Sequence, residues 1–255
     1  MSNTVRVSKI DDVFMKVYCD DGLARDLYDF FSYTVPNAKF MPSYRNKFWD
    51  GKVRLFSMKT HKIYIGLLPY VDEFCRERGF EFEGITDVIG IKEKQPDLDT
   101  FVKSLDLPFE PRGYQLEALK SSLQYGRQLL LSPTASGKSL IIYGLTRWCH
   151  YKNLKTLIIV PTTSLVEQMY SDFIDYGWLE SYMQKIYQGH DKKVHKDVVI
   201  STWQSLYKFP KKYFEQFGCV IGDEAHTFKS KSLTSIMNKL HLCKYRFGLT
   251  GTLDD

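Results

Sequence analysis

Two short strings carry the residue types that phosphate chemistry needs. Ser132-Pro-Thr-Ala-Ser-Gly137-Lys138-Ser139 follows an apolar run and opens an apolar helical pattern. A loop in that position can wrap a phosphate in successive backbone N–H groups and the start of a helix. Thr134, Ser136 and Gly137 would line the phosphates, with Gly137 allowing the backbone to come close. Lys138 would reach the β and γ phosphates and Ser139 would ligate magnesium. Ser132 stands where the strict pattern has glycine. The second string, Ile221-Gly-Asp223-Glu224-Ala-His226, closes another apolar run. There Asp223 would hold magnesium through its shell, and Glu224 would orient or deprotonate an attacking water. The plain alternatives are a chance loop ahead of a helix and an acidic pair capping one. The ordered succession of strand, loop, Gly-Lys-Ser, apolar helix and strand-end Asp-Glu favours nucleoside triphosphate hydrolysis, with Lys138, Asp223 and Glu224 as the catalytic set.

Such residues need a frame, and the pattern after residue 96 supplies one. Arg112 to Tyr125 reads as a helix with Leu116, Leu119 and Leu123 on its core face. Short apolar strands follow at Leu129–Leu131, Thr156–Val160, Val198–Ile200 and Cys219–Ile221, with helices between them. Strands apolar on both faces that alternate with helices predict a parallel sheet covered on both sides. Ligands on such a sheet bind at the carboxyl ends of its strands, where both strings stand.

The stretch before residue 96 predicts a small α+β domain. Val5–Ser8, Val13–Tyr18 and Ile63–Leu68 read as strands, and Asp20-Asp21 caps a helix bearing Leu23, Leu27, Phe30 and Phe31. Pro69 opens a helix that ends near Gly79. Phe48 to Phe56 reads as a hairpin turned by Asp50-Gly51. Lys92 to Asp99, polar and broken by proline, reads as the linker, giving domains 1–95 and 96–255.

Composition excludes several classes. The chain has 255 residues, 44% hydrophobic and 25% charged, as globular proteins do. Its five cysteines are scattered without a Cys-x-x-Cys pair, so neither a disulfide framework nor a zinc site is expected. The sequence has no apolar run of membrane-spanning length and no signal-peptide core, so a cytoplasmic setting and no membrane partner are expected. The net charge of +5 is concentrated in clusters over 39–62 and 185–212. Such clusters fit a polyanionic partner or a solvated lysine face. In the first, Lys47, Lys52 and Arg54 alternate with Phe48, Trp49 and Phe56. Cations would grip phosphates and aromatics would stack on bases, though Trp49 also fits the core of a domain this small.

Further strings appear in a fixed order. Asp223-Glu-Ala-His226 is preceded by Arg112-Gly-Tyr-Gln115, Ile159-Val-Pro-Thr-Thr-Ser-Leu-Val-Glu-Gln168 and Ile200-Ser-Thr-Trp-Gln-Ser-Leu206, and followed by Leu249-Thr-Gly-Thr252. This set, over about 110–255, resembles the first motor lobe of the DEAH-type branch of superfamily 2 helicases, with Leu253 where members usually have proline. The resemblance implies a RecA-like lobe that uses ATP and Mg2+. Arg112 and Gln115 would contact adenine, and His226, Thr250 and Thr252 would couple nucleotide to track. Pro161, Thr162, Ser201 and Thr202 would lie along the nucleic-acid backbone. The leading domain with Asn46–Phe56 resembles that of phage recombination and replication-control helicases, which implies branched or forked DNA and RNA–DNA hybrids as partners and a bacterial host cytoplasm. It also implies a second lobe bearing arginine fingers, without which the chain should bind ATP and nucleic acid weakly and turn over little. An RNA helicase, a duplex-DNA translocase and a non-catalytic nucleic-acid-binding module remain the alternatives.

Overall fold

The computed structural model describes residues 4–84, 95–133 and 136–252, apart from the side chains of 95–97 and 229. The chain divides into two compact units at 89/90.

In the first unit, alternation builds the sheet. β1 (Thr4–Lys9) and β2 (Phe14–Tyr18) turn Val5, Val7, Met15 and Val17 inward. α1 (Asp21–Phe30) starts where the Asp20 carboxylate accepts from Leu23 N at 2.8 Å, and it buries Leu23, Ala24 and Leu27. β3 (Ser32–Thr34), α2 (Pro42–Arg45) and β4 (Lys52–Arg54) follow, then β5 (Lys62–Tyr64), α3 (Leu68–Arg78) and β6 (Glu81–Glu83). The main sheet runs β5-β2-β1-β6, antiparallel except for β1 with β6. The expected hairpin at 48–56 does not form. Lys52–Arg54 pairs instead with Ser32–Thr34, a partner some twenty residues upstream. Residues 48–51 form the end of an excursion whose helix α2 buries nothing. Phe56, expected on that ribbon, is a core residue at 2% exposure. The strand expected at Ile63–Leu68 ends at Tyr64, where the chain tightens into a 3-10 turn over Ile65–Leu67.

The second unit opens with α4 (Gln95–Lys103). The expected linker therefore ends earlier than its polarity suggested, with 92–94 outside the described residues. Proline suits a first helical turn, where no intrahelical N–H is required, and Leu98 and Phe101 join the core behind it. The succeeding elements are α5 (Gly113–Tyr125), β7 (Arg127–Leu131), α6 (Lys138–Tyr151), β8 (Lys155–Val160), α7 (Thr163–Asp175) and β9 (Met183–Ile186). The unit finishes with β10 (Val198–Thr202), α8 (Trp203–Leu206), α9 (Lys211–Phe214), β11 (Phe217–Asp223), α10 (Lys231–Lys239) and β12 (Tyr245–Thr250).

Its six strands are all parallel in the order β7-β12-β11-β8-β10-β9. Alternate residues of β8 feed two cores. Ile158 and Val160 meet Trp148 and Phe173 beneath α6 and α7, whereas Leu157 and Ile159 meet Leu206, Phe214 and Ile236 beneath α8 to α10. Each fully buried side chain of this size contributes about 1.5–3 kcal/mol relative to exposure. β7 departs from the doubly buried expectation. It is an edge strand, and Leu129 and Leu131 are 55% and 58% exposed. β7, β8, β10 and β11 end on one edge of the sheet, and the chemical residues gather there.

Candidate nucleotide site and nucleic-acid interface

The loop after β7 turns through Gly137, whose φ of +77° favours glycine, directly into α6. Lys138 opens that helix, and its Nζ lies 2.6 Å from Glu224 Oε1 and 3.9 Å from Asp223 Oδ1. Asp223 closes β11 and is 7% exposed. Burial pushes its carboxyl above the ordinary range, and the nearby Lys138 charge opposes that only in part. The next residue, Glu224, has a left-handed backbone at φ 52°, ψ 52°. Its N–H donates back to Asp223 Oδ1 at 3.0 Å, and its carbonyl accepts from Thr227 Oγ1 at 2.9 Å. A non-glycine residue held there costs of order 1 kcal/mol or more, which these bonds help to offset.

The motif residues form one network. Ser132 N donates to the Thr250 carbonyl at 2.8 Å, joining the phosphate loop to the end of β12. Thr250 Oγ1 lies 2.9 Å from His226 Nδ1 and donates to the Thr252 carbonyl at 2.8 Å. His226 in turn lies 3.4 Å from Glu224 Oε2. On the other side Gln115, 7% exposed, donates through Nε2 to the Ser136 carbonyl at 2.9 Å and accepts from Arg112 N. Arg112 reaches the same carbonyl indirectly, through Tyr114 OH. Thr134 lies outside the described residues.

Tyr114 and Tyr176 take part without having been expected from the sequence. Ser139 Oγ lies 2.8 Å from Tyr176 OH just past α7, and it also faces Asp172, whose carboxyl burial holds above the usual range. Tyr143 OH donates to the Tyr176 carbonyl at 2.8 Å and fixes it in place. Tyr114 adjoins Gln115 and could have been found as part of that string. Tyr176 lies 37 positions from Ser139 and is found only through the fold.

The expected backbone-facing residues divide. Thr162 is exposed and caps α7, its Oγ1 accepting from Leu165 N at 3.3 Å, and Pro161 beside it is half-buried. Ser201 must be corrected. It is fully buried and its Oγ donates to the Ile186 carbonyl at 2.6 Å, because β10 is interior and both of its faces are covered. Thr202 needs the same correction: it is 4% exposed, with Oγ1 turned to Ser205 Oγ at 3.1 Å.

In the first unit the excursion before β4 is open to solvent. Lys47 and Lys52 are exposed, and Phe48 is 87% exposed. Trp49 is half-buried, with Nε1 donating to the Lys52 carbonyl at 2.7 Å. Arg54 is tied to Asp50, whose carboxyl it holds down at about 2, and stands over the Tyr28 ring. Lys39, Tyr44, Arg45, Lys47, Phe48 and Trp49 frame a hollow of about 720 Å³.

Among the described residues no group of three or more His, Cys, Asp or Glu could hold a metal, and no helix is long and apolar enough to cross a membrane. One carboxylate and one hydroxyl beside a phosphate loop nevertheless suit magnesium, which completes its shell with water and substrate phosphate.

Comparison with known proteins agrees with this architecture. Residues 4–84 match the family described as DNA helicase UvsW, N-terminal, and residues 108–255 match Type III restriction enzyme, res subunit. The "ATP-dependent DNA helicase uvsW" of Enterobacteria phage T4 is 36% identical over 98% of this chain, which spans about half, 52%, of that relative's length. A crystal structure of the UvsW helicase from bacteriophage T4 superposes with a TM-score of 0.90 at 33% identity, over 100% of this chain and 94% of that one. A "DNA 3'-5' translocase XPB2" of Sulfurisphaera tokodaii is 31% identical over 63% of this chain and 36% of its own length. The chain belongs to the family of the type III restriction enzyme res subunit, a family of superfamily 2 helicase motors, and carries ahead of its RecA-like lobe a unit of the UvsW N-terminal type.

Proposed function

We propose that this chain is the first motor lobe and substrate-engaging domain of an ATP-dependent DNA helicase that acts on branched or forked DNA and RNA–DNA hybrids in recombination and replication control. The observation that carries the reading is Lys138, held against Glu224 at 2.6 Å and beside the buried Asp223 at the carboxyl edge of a parallel sheet. The named activity of the phage T4 relative supports it. The boundary near residue 95 then separates a nucleic-acid-binding domain from the motor.

Each role follows from what the side chain now holds. Lys138 exchanges Glu224 for the β and γ phosphates of ATP. Glu224, released, orients the attacking water and takes its proton. Ser139, once released from Tyr176, and Asp223 would hold magnesium. Magnesium, when bound with nucleotide, neutralises the charge that develops on the phosphates. His226 senses Glu224 and hands the change to Thr250, whose main chain is bonded to the phosphate loop. Arg112 and Gln115 meet the adenine. Thr162 and Pro161 face the nucleic-acid backbone, as do Lys47, Lys52, Arg54 and Trp49 in the leading unit. A second lobe in the complete protein, whose setting is the cytoplasm of a bacterial host, supplies the arginines that finish charge neutralisation.

The test is ATP turnover by the purified chain and by the complete protein, with and without forked DNA, beside Glu224→Gln. DNA-stimulated turnover by the complete protein that disappears in the variant while ATP binding persists supports the proposal. Turnover untouched by Glu224→Gln would sink it. The XPB2-like match favours one second reading, a duplex translocase that separates no strands. Stimulated turnover without strand displacement on forks would select it.

A further inference from the structure

The lysines of 185–212 do not form one solvated face. Lys185 is paired with Glu167 at 2.8 Å. Lys239, from α10, is spent on structure, its Nζ donating to the Tyr207 and Phe209 carbonyls at 2.7 Å each. Lys192, Lys208, Lys211 and Lys231 behave differently. Among the described residues none of them has a carboxylate within ion-pairing distance, and all four line two hollows, of about 650 and 430 Å³, on the α8–α10 flank. No Asp or Glu lines either hollow.

Like charges gathered without counter-charges repel one another, and the surrounding fold makes this gathering permanent. The Lys239 bonds staple α10 to the chain after α8. Phe209 and Tyr213 stack at 4.1 Å beneath, and Leu206, Phe214, Leu233 and Ile236 form a dry floor. A preformed surface of one sign focuses its field outward and attracts polyanions. Its position is also informative. Trp203 follows Thr202 at the carboxyl end of β10, and Lys231 opens α10 just after the turn that carries His226. The flank therefore starts at the same sheet edge as the nucleotide site and Thr162.

We propose that this flank grips the phosphate backbone of duplex DNA beyond the strand path at Thr162, an assignment that rests on the DNA reading above. A duplex fits better than a single strand. Single strands are held largely by aromatic faces open to bases. Here Trp203 packs on Tyr207 at 6.1 Å, and the Lys208 ammonium stands over the Tyr207 ring, which is 36% exposed. What the flank offers is ammonium groups, which read phosphate and not sequence.

Affinity of the whole chain for a fluorescein-labelled 20-base-pair DNA duplex and for the matching single strand is measured against salt concentration. Lys208→Gln, Lys211→Gln and Lys231→Gln, combined, remove charge but keep side-chain bulk, and unchanged thermal unfolding checks the fold. Each lost phosphate contact lowers the slope of log K against log salt by about 0.9 for a duplex. The expected result is a slope reduced by about 2–3 for the duplex, little change for the single strand and unchanged binding of an ATP analogue. An unchanged duplex slope, or an equal loss on the single strand, overturns the proposal. Wild-type chain that binds no DNA at low salt would instead overturn the DNA reading itself.

Discussion

On the function proposed above, the nucleotide site and the excursion before β4 are opposite ways of holding an anion. At the first, every chemical side chain already has a partner: Lys138 has Glu224, Ser139 has Tyr176, Gln115 has Ser136 and His226 has Thr250. At the second, Lys47 and Phe48 project into solvent just after a short helix that buries nothing. The first site stores its geometry in mutual bonds that nucleotide must exchange. The second stores almost none and relies on charge and exposed ring surface. A defect should therefore be sharp and local in one and graded in the other.

The two regions should differ most at Glu224. Glu224→Gln should lower DNA-stimulated ATP turnover by about 10²–10⁴-fold, the worth of a positioned general base, while leaving ATP binding measurable by calorimetry. In the excursion, combined Lys39→Ala, Arg45→Ala and Lys47→Ala should lower the salt dependence of DNA binding by about 2–3 slope units, with no change in melting temperature. A large drop in melting temperature there would mean that the segment is structural after all.

Asp223 tests whether the nucleotide site is tuned for chemistry at the expense of the empty fold. Its folded pKa is raised, so the folded chain binds this proton more tightly than the unfolded chain does. The empty chain should accordingly gain stability as pH falls from the raised value toward the ordinary carboxylate value. Asp223→Asn should raise its melting temperature while weakening magnesium-dependent ATP binding. A lower melting temperature in Asp223→Asn would refute this account.

Two smaller effects sharpen the contrast. Tyr176→Phe removes one bond to the Ser139 hydroxyl and should shift the magnesium concentration for half-maximal nucleotide binding by about 2–10-fold, as loss of one hydrogen bond allows. Asp50→Asn frees Arg54 from an exposed ion pair and should raise DNA affinity by about 2–5-fold, a small effect because solvent-exposed pairs are weak. No gain would place Arg54 outside the contact surface.

What could be read without coordinates followed from local physics. Thr156–Val160 and Val198–Ile200 declare interior strands because both faces are apolar, and Asp20 declares a helix start because its side chain can cap one. β9 was not legible, since an edge strand can carry Gln184, whose amide accepts from His195 N and donates to the Lys193 carbonyl. β12 was missed as well. Its Arg246 looks out of place until its guanidinium is seen reaching the carbonyls of Met237, Leu240 and Cys243. Asp50-Gly51 suggested a hairpin, whereas the partner of Lys52–Arg54 is chosen by distant pairing that no local signal reports. The phosphate loop and the Asp223-Glu224 pair were legible because their chemistry demands fixed neighbours in sequence. Ser201 misled, since a hydroxyl on a doubly covered strand bonds inward whatever string it belongs to.

Gln115 sits so close to Gly137 that a Cβ at 137 would collide with its amide, while that amide holds the Ser136 carbonyl. The side chain expected to recognise the base is therefore also a strut of the loop that grips the phosphates, some two residues from Lys138. Base selectivity and phosphate affinity are then not separately adjustable. If Gln115 reads adenine as proposed, a nucleotide with the wrong base would be disfavoured at its other end as well, through a loop left in a less receptive shape, and a change at Gln115 or Gly137 that relaxed base choice would also alter how tightly the triphosphate is held.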